Sequence, residues 1–414
     1  MIKYVKWSLD NGLRVIFYKP TDRTQATVNI LYNVGARDES PMRTGFAHLF
    51  EHLMFSGSAH ITSYDATVEN AGGSNNAYTT NDVTNYFIKL PKENLETAFW
   101  LESDRMISLN INEESLAIQK GVVVEEFKQR CYNGAFGLLW HDVRKLIYKN
   151  HPYRWPTIGL NFEHIEDSTL QEVQQFYDKF YNPNNAVMCI AADIEENECK
   201  QMVSKWFGGI KNDHSANENN YPMETENVII DPLKAEDLNP HLSVILSWRI
   251  NHTLSDNFVR VNAFSEMFAE GHKSYLVKRL IKETDMFNST SMFVSPGNDY
   301  STVIYYGILN DGYSHDEGRE KMIEVLNEAI VSNVIINSDL DAFVNMYLYS
   351  IEKWKAEPSS VAEYLCKYEA LGKIELINTW SDKYKALTLE ECKNEAKATL
   401  STDKMSTIYY SPKK

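Results

Sequence analysis

Cysteine is scarce and scattered. Cys131, Cys189, Cys199, Cys366 and Cys392 are an odd set with no C-x-x-C pair, which excludes a disulfide framework and a cysteine-held zinc ribbon and fits reduced thiols used for packing. Basic runs are absent too. With 41 Lys and Arg against 57 Asp and Glu, the net charge is -16, and this excludes nucleic acid as the partner, because a phosphate backbone needs clustered cations. Nowhere do 18 apolar residues run together, and Met1–Ser8 has neither an apolar h-region nor a small-residue cleavage site. The expectation is a cytoplasmic protein with no membrane partner.

Apolar and aromatic residues, at 43% and 12% of 414, are plentiful, enough for two well-packed domains of about 200 residues each. One stretch carries chemistry. In Thr44-Gly45-Phe46-Ala47-His48-Leu49-Phe50-Glu51-His52-Leu53-Met54-Phe55, helical spacing gathers His48, Glu51 and His52 within about 100° of one another and puts Phe46, Leu49, Phe50, Leu53 and Met54 opposite. Two imidazoles at i and i+4 can each give one nitrogen to a single ion, and imidazole suits zinc. Glu51 then lies beside the ion, the position of a general base. A third ligand must come from elsewhere. The pair Glu125-Glu126, whose second member is 74 residues beyond His52, offers one, and spacing does not choose between them.

Residues 4–18 read as a hairpin about Asn11-Gly12, residues 26–34 as a strand, and residues 72–90 as two strands about Asn81-Asp82. The first of those two is short, polar and fed by Gly72-Gly73. It is a poor core strand and a reasonable open edge, to which an extended peptide adds by main-chain hydrogen bonds. Helices are predicted over 93–107, 113–130, 136–148, 169–181 and 195–207, with a strand over 186–192; Thr44 offers a hydroxyl as N-cap for the histidine helix. From Asn212 the chain turns polar, with an unbroken Asn217-Glu218-Asn219-Asn220. This sets a linker at 216–239 between a first domain, 1–215, and a second, 240–414.

The second half repeats the order: strand 241–250, helices 257–269 and 273–282, strands 289–294 and 302–309, helices, and a last strand 406–411. Thr169-Leu170-Gln171-Glu172-Val173 and Thr388-Leu389-Glu390-Glu391-Cys392 stand 219 positions apart, and the strands after them, from Ala186 and Met405, keep that offset. A helix and a strand sharing one offset predict two copies of an α+β unit. His241, His252, His272 and His315 lack ligand spacing, which leaves the chemistry in the first copy.

With these blocks in place, the chain resembles the pitrilysin, insulin-degrading enzyme and mitochondrial processing peptidase family, in its short two-domain bacterial form. H-x-x-E-H is that family's inverted zinc signature. Gly45 to Ser58, Gly72 to Thr79, Val122 to Glu126, His151-Pro152-Tyr153, Pro156 to Gly159 and Phe180 to Asn185 follow in the family's order. The resemblance implies half of a clamshell: two homologous α+β domains, each a mostly antiparallel sheet packed with helices. It implies zinc (Zn2+) held by His48, His52 and Glu126, the last because the family's third ligand ends a Val-Val-x-x-Glu run, with Glu51 activating water. It also implies that Asn76, Ala77 and Tyr78 hold substrate peptide in extended form.

Two departures stand out. Gln119 occupies the position, seven before the third ligand, where the family commonly has a second acid. In the second domain, Tyr275 and Asn288 stand where active relatives carry an Arg and a Tyr that help hold the substrate carbonyl. The implied activity is a zinc metalloendopeptidase of short or unfolded peptides, paired with a second pitrilysin-like subunit as a heterodimer or with its own copy as a homodimer. The alternative is a weakly active or non-catalytic zinc-binding assembly subunit.

Overall fold

Gly12, at φ 90°, turns the chain between β1 (Val5–Ser8) and β2 (Arg14–Tyr18), which pair antiparallel with Val5 opposite Phe17. The computed structural model describes residues 1–212, 220–225 and 228–413. From β2 the chain runs through β3 (Gln25–Tyr32), α1 (Phe46–Leu53), α2 (Tyr64–Asn70), β4 (Ser74–Thr79), β5 (Thr84–Pro91), α3 (Leu95–Ser108), α4 (Glu113–Tyr132), α5 (Leu139–Ile147), α6 (Glu163–Glu166), α7 (Leu170–Phe180), β6 (Ala186–Ala191) and α8 (Glu196–Phe207). It continues with β7 (Leu233–Asp237), β8 (Ser243–Asn251), α9 (Asp256–Ala269), α10 (Tyr275–Val277), β9 (Phe287–Ser295), β10 (Tyr300–Leu309), α11 (His315–Val331), α12 (Asn337–Lys355), α13 (Pro358–Ala370), α14 (Leu376–Lys385), α15 (Leu389–Thr399) and β11 (Ser406–Pro412). No helix among the described residues is long and apolar enough to cross a membrane.

Contacts divide the chain into two units that are each discontinuous in sequence. One comprises Met1–Phe127, Trp155–Tyr221 and Ile351–Trp380; the other comprises Lys128–Arg154, Pro222–Ser350 and Ser381–Lys414. The first unit holds a six-stranded sheet in the order β1-β2-β6-β3-β5-β4, antiparallel except for β2 beside β6. All of β6 and seven of the eight residues of β3 are buried, because both faces of the sheet are covered. On one face Val28, Ile30 and Tyr32 join Leu49, Phe50 and Leu53 of α1 in a single core. On the other, α13 packs over β3 and β6, with the Cys366 thiol 3.6 Å from the Val187 carbonyl.

The second unit holds a five-stranded sheet in the order β7-β11-β8-β10-β9, with β11 parallel to β7 and the rest antiparallel. Strand for strand this matches β2-β6-β3-β5-β4. The helices before the corresponding strands β6 and β11, α7 and α15, begin at Leu170 and Leu389 with capping boxes Thr169–Glu172 and Thr388–Glu391. The repeat read from one short match therefore extends over both sheets. The repeat also shows an exchange: α5, on the second sheet, and α13, on the first, begin 219 residues apart, at Leu139 and Pro358. Each copy has given its corresponding helix to the other copy's sheet.

The division into 1–215, 216–239 and 240–414 is corrected accordingly, since 128–154 belongs with the second unit and 351–380 with the first. Within the expected linker, 216–219 and 226–227 lie outside the described residues, while Leu233–Asp237 is strand β7. An edge strand that alternates half-buried Leu233 and Ala235 with exposed Lys234 and Glu236 is polar enough in composition to pass for a connector.

Candidate metal and substrate site

Thr44 does not cap α1. The N-cap is Gly45, at φ 91° where a side chain is strained, and the N–H groups of Gly45 and Ala47 donate to the two oxygens of Glu39, each at 2.8 Å. A buried carboxylate reaches two helix-end donors where a hydroxyl reaches one. Burial, opposed by those two N–H groups, holds the Glu39 carboxyl well above the usual range. The Thr44 hydroxyl instead meets His164 Nδ1 at 2.8 Å and accepts the Leu160 N–H at 2.8 Å. Phe46, Leu49, Phe50 and Leu53 are all nearly fully buried, each contributing about 1.5–3 kcal/mol. Their burial fixes the rotation of α1 and so the direction of its histidines.

The structure brings His48, His52 and Glu126 together. One ligand atom from each lies within 4.8 Å of the others; Glu126 Oε2 is 3.5 Å from His48 Nε2 and 3.4 Å from His52 Nε2. Two donors on a tetrahedral ion with bonds of 2.0–2.1 Å stand about 3.3–3.4 Å apart, whereas a charge-assisted hydrogen bond is about 2.7–2.9 Å long. The spacing and the N/O donor set fit a zinc ion. Glu125, the rival, is exposed while Glu126 is half-buried, as is Gln119 two turns earlier on α4. Among the described residues this is the one such group of three.

Glu51 stands one residue before His52 with its Oε2 accepting the Thr79 hydroxyl at 2.6 Å. That bond ties α1 to the end of β4. Below the helix lies a charged pair that sequence reasoning missed: Glu102 and Arg105, both essentially fully buried, in contact at 2.6 Å. The Arg105 guanidinium sits over the rings of Tyr64 and Tyr86 at 4.6 and 4.5 Å, and the Tyr86 hydroxyl donates to the Phe50 carbonyl at 3.2 Å. Such a pair is costly to break, because one partner would be left buried and uncompensated. Its signal was two opposite charges at i and i+3 on a helix whose buried residues also include Leu95, Ala98, Phe99 and Leu101.

β4 is an edge strand, paired only with β5 in the sheet order. Its side chains alternate between two environments. Asn75 bonds Asp65 of α2 at 3.0 Å, Ala77 packs on the core shared with α1, and Thr79 reaches Glu51. Tyr78 faces the opposite way, its hydroxyl donating to Glu363 of α13 at 2.9 Å. The Asn76 side chain accepts the Ala77 N–H at 2.8 Å. In the second unit, Tyr275 begins α10, with burial and then the neighbouring Glu328 pushing its phenol up to about 12; Asn288 is exposed on β9, the edge strand that corresponds to β4.

A duplicated α+β fold whose first copy sets an H-x-x-E-H helix against a glutamate from another helix, beside a sheet edge, defines the inverted-motif metalloprotease class. The chain belongs to the M16 peptidase family: the model described as "Insulinase (Peptidase family M16)" matches residues 14–136 and that described as "Peptidase M16 inactive domain" matches residues 167–334. The zinc protease PqqE of Helicobacter pylori is 27% identical over 379 residues, 89% of this chain and 85% of that protein. The mitochondrial-processing peptidase subunit beta of Caenorhabditis elegans is 27% identical over 216 residues, 51% of this chain and 46% of that protein. In fold, the crystal structure of a protease from Helicobacter pylori matches with a TM-score of 0.89 over 100% of both chains at 24% identity. Pitrilysin matches with a TM-score of 0.73 over 100% of this chain and 45% of that one, at 16% identity.

Proposed function

We propose that this chain is a zinc-dependent endopeptidase that hydrolyses short or unfolded peptides bound as an added strand on β4. The observation that carries the reading is the convergence of His48, His52 and Glu126 with Glu51 joined to β4 through Thr79. When bound, zinc supplies a Lewis acid that polarises a carbonyl and acidifies water. The residues of the chain do the rest. The core under α1 holds the two imidazoles in one direction, and β4 lays a peptide backbone along the line that ends at Thr79. The Glu51 carboxylate, steadied by the Thr79 hydroxyl, takes a proton from the attacking water and returns it to the departing amine.

The reading includes a partner. Tyr275 and Asn288 offer no cation and no second phenol at the positions where active relatives hold the substrate carbonyl, so a second pitrilysin-like subunit in a heterodimer would supply them. The test is metal analysis together with hydrolysis of quenched peptides, with and without such a subunit. One zinc per chain and cleavage that rises on mixing are expected. Zinc without cleavage in either condition turns the reading to an assembly subunit, which Tyr275 and Asn288 in place of the Arg and Tyr favour; absence of zinc overturns both.

A further inference from the structure

An extended peptide paired to β4 would point alternate side chains to the two faces of the first sheet. One set would lie on the α1 side, with Ala77 and Thr79. The other would lie with Asn76 and Tyr78, on the side covered by α13. What stands there comes from a segment 285 residues further along the chain. Glu363 bonds both the Tyr78 hydroxyl at 2.9 Å and the Lys367 ammonium at 2.8 Å. The same ammonium sits over the rings of Tyr78 and Tyr364 at 5.2 and 5.3 Å, and Trp354 lies against Tyr364 with ring centroids 4.3 Å apart. All five side chains are half-buried.

Resting on the peptidase reading above, we propose that Tyr78, Tyr364 and Trp354 form a specificity wall that selects large aromatic or aliphatic side chains at every second position of the bound peptide. The charges of Glu363 and Lys367 offset one another, so the cluster presents aromatic rings with no net charge beside them. Such faces reward flat or bulky apolar groups over small or acidic ones. Because Tyr78 is anchored at both its hydroxyl and its ring, the wall is preformed, and little side-chain ordering opposes binding.

The test is a set of quenched peptides in which one Phe is walked along an otherwise small, polar sequence, with kcat/KM measured for each. With the parent protein, kcat/KM should alternate with Phe position by about tenfold. In Tyr364→Ala the maxima of one parity should fall to within about threefold of their neighbours, and Tyr364→Phe should restore them. Damage to folding lowers all peptides together and leaves the alternation in place. A flat parent profile, or an alternation that survives Tyr364→Ala, overturns the wall. If no peptide is cut, anisotropy of the same peptides on Glu51→Gln protein separates the two readings: alternating affinity that Tyr364→Ala flattens supports the wall and counts against hydrolysis alone, whereas uniform or absent binding overturns the wall as well.

Discussion

The helix that follows β3 and the helix that follows β8 occupy the same place in matching sheets and are made in opposite ways. α9 is self-sufficient: Ser255 caps it, accepting the Phe258 N–H at 3.0 Å, and Val259, Val261, Phe264 and Phe268 bury its core side. α1 has eight residues, carries the buried His48 on the face turned to Glu126, and borrows its cap from Glu39. Beside its apolar core lies the buried ion pair Glu102–Arg105, whose guanidinium donates to the Met54 carbonyl at the end of the helix at 3.5 Å. The duplicated fold supplies position; the candidate metal site lies in the copy whose helix takes its cap from a neighbouring segment.

That contrast breaks most sharply at Glu51. Glu51→Gln keeps the shape and the Thr79 contact and should lower kcat by about 10²–10⁴-fold, with zinc content unchanged by elemental analysis. Hydrolysis at the parent rate would remove Glu51 from the base role. Next is the pair on α4. Glu126→Gln should weaken zinc binding by more than about 100-fold, since even outer-shell changes reach 10–100-fold, whereas Glu125→Gln should leave it within about twofold. A competition titration against a chromogenic chelator reads both, and equal losses would mean that the ligand assignment is wrong.

The borrowed cap ranks third. Glu39→Gln leaves one of the Gly45 and Ala47 donors facing an amide N–H, a loss of about 1–3 kcal/mol. Ser255→Ala, the corresponding cut on α9, should cost about 1 kcal/mol. Hydrogen exchange of the α1 and α9 amides reads the two separately. If α1 amides exchange no faster in Glu39→Gln than in the parent, Glu39 is not what holds that helix end.

Much of this was legible beforehand. The H-x-x-E-H face, the Asn11-Gly12 hairpin, the strand at the sheet edge and the 219-residue repeat are local or periodic patterns, and the structure has each of them. The resemblance chose Glu126, and the fold sets Glu126 beside His48 and His52 and leaves Glu125 exposed. What the pattern hides is long-range. Nothing in Pro358–Ala370 announces that it covers a sheet begun more than 300 residues earlier, because an apolar helix face does not name its partner. Glu39 is one acid among 57 Asp and Glu, and its value lies wholly in burial beside two helix-end donors. β7 was hidden by polarity that a strand at an edge tolerates.

The smallest expected effects fall where the two copies are most alike. Thr169 and Thr388 each cap a helix with a reciprocal glutamate, Glu172 or Glu391, and each glutamate also meets an arginine, Arg43 at 2.9 Å or Arg260 at 3.1 Å. Thr169→Ala should cost about 1 kcal/mol, and Thr388→Ala an equal amount. Burial raises the Glu172 carboxyl, but the Thr169 N–H and hydroxyl and then Arg43 bring it below the usual range; for Glu391 the Thr388 hydroxyl and N–H lead, with Arg260 adding. A carboxyl lowered by folding adds stability that is present above its unfolded value, about 4.3, and is lost as pH falls through the folded one. The cost of either substitution should therefore shrink between pH 5 and about pH 3, as thermal unfolding at the two pH values would show. A cost at Thr169 that Thr388 does not share would mean that the copies, alike in topology, no longer rely on the same contacts.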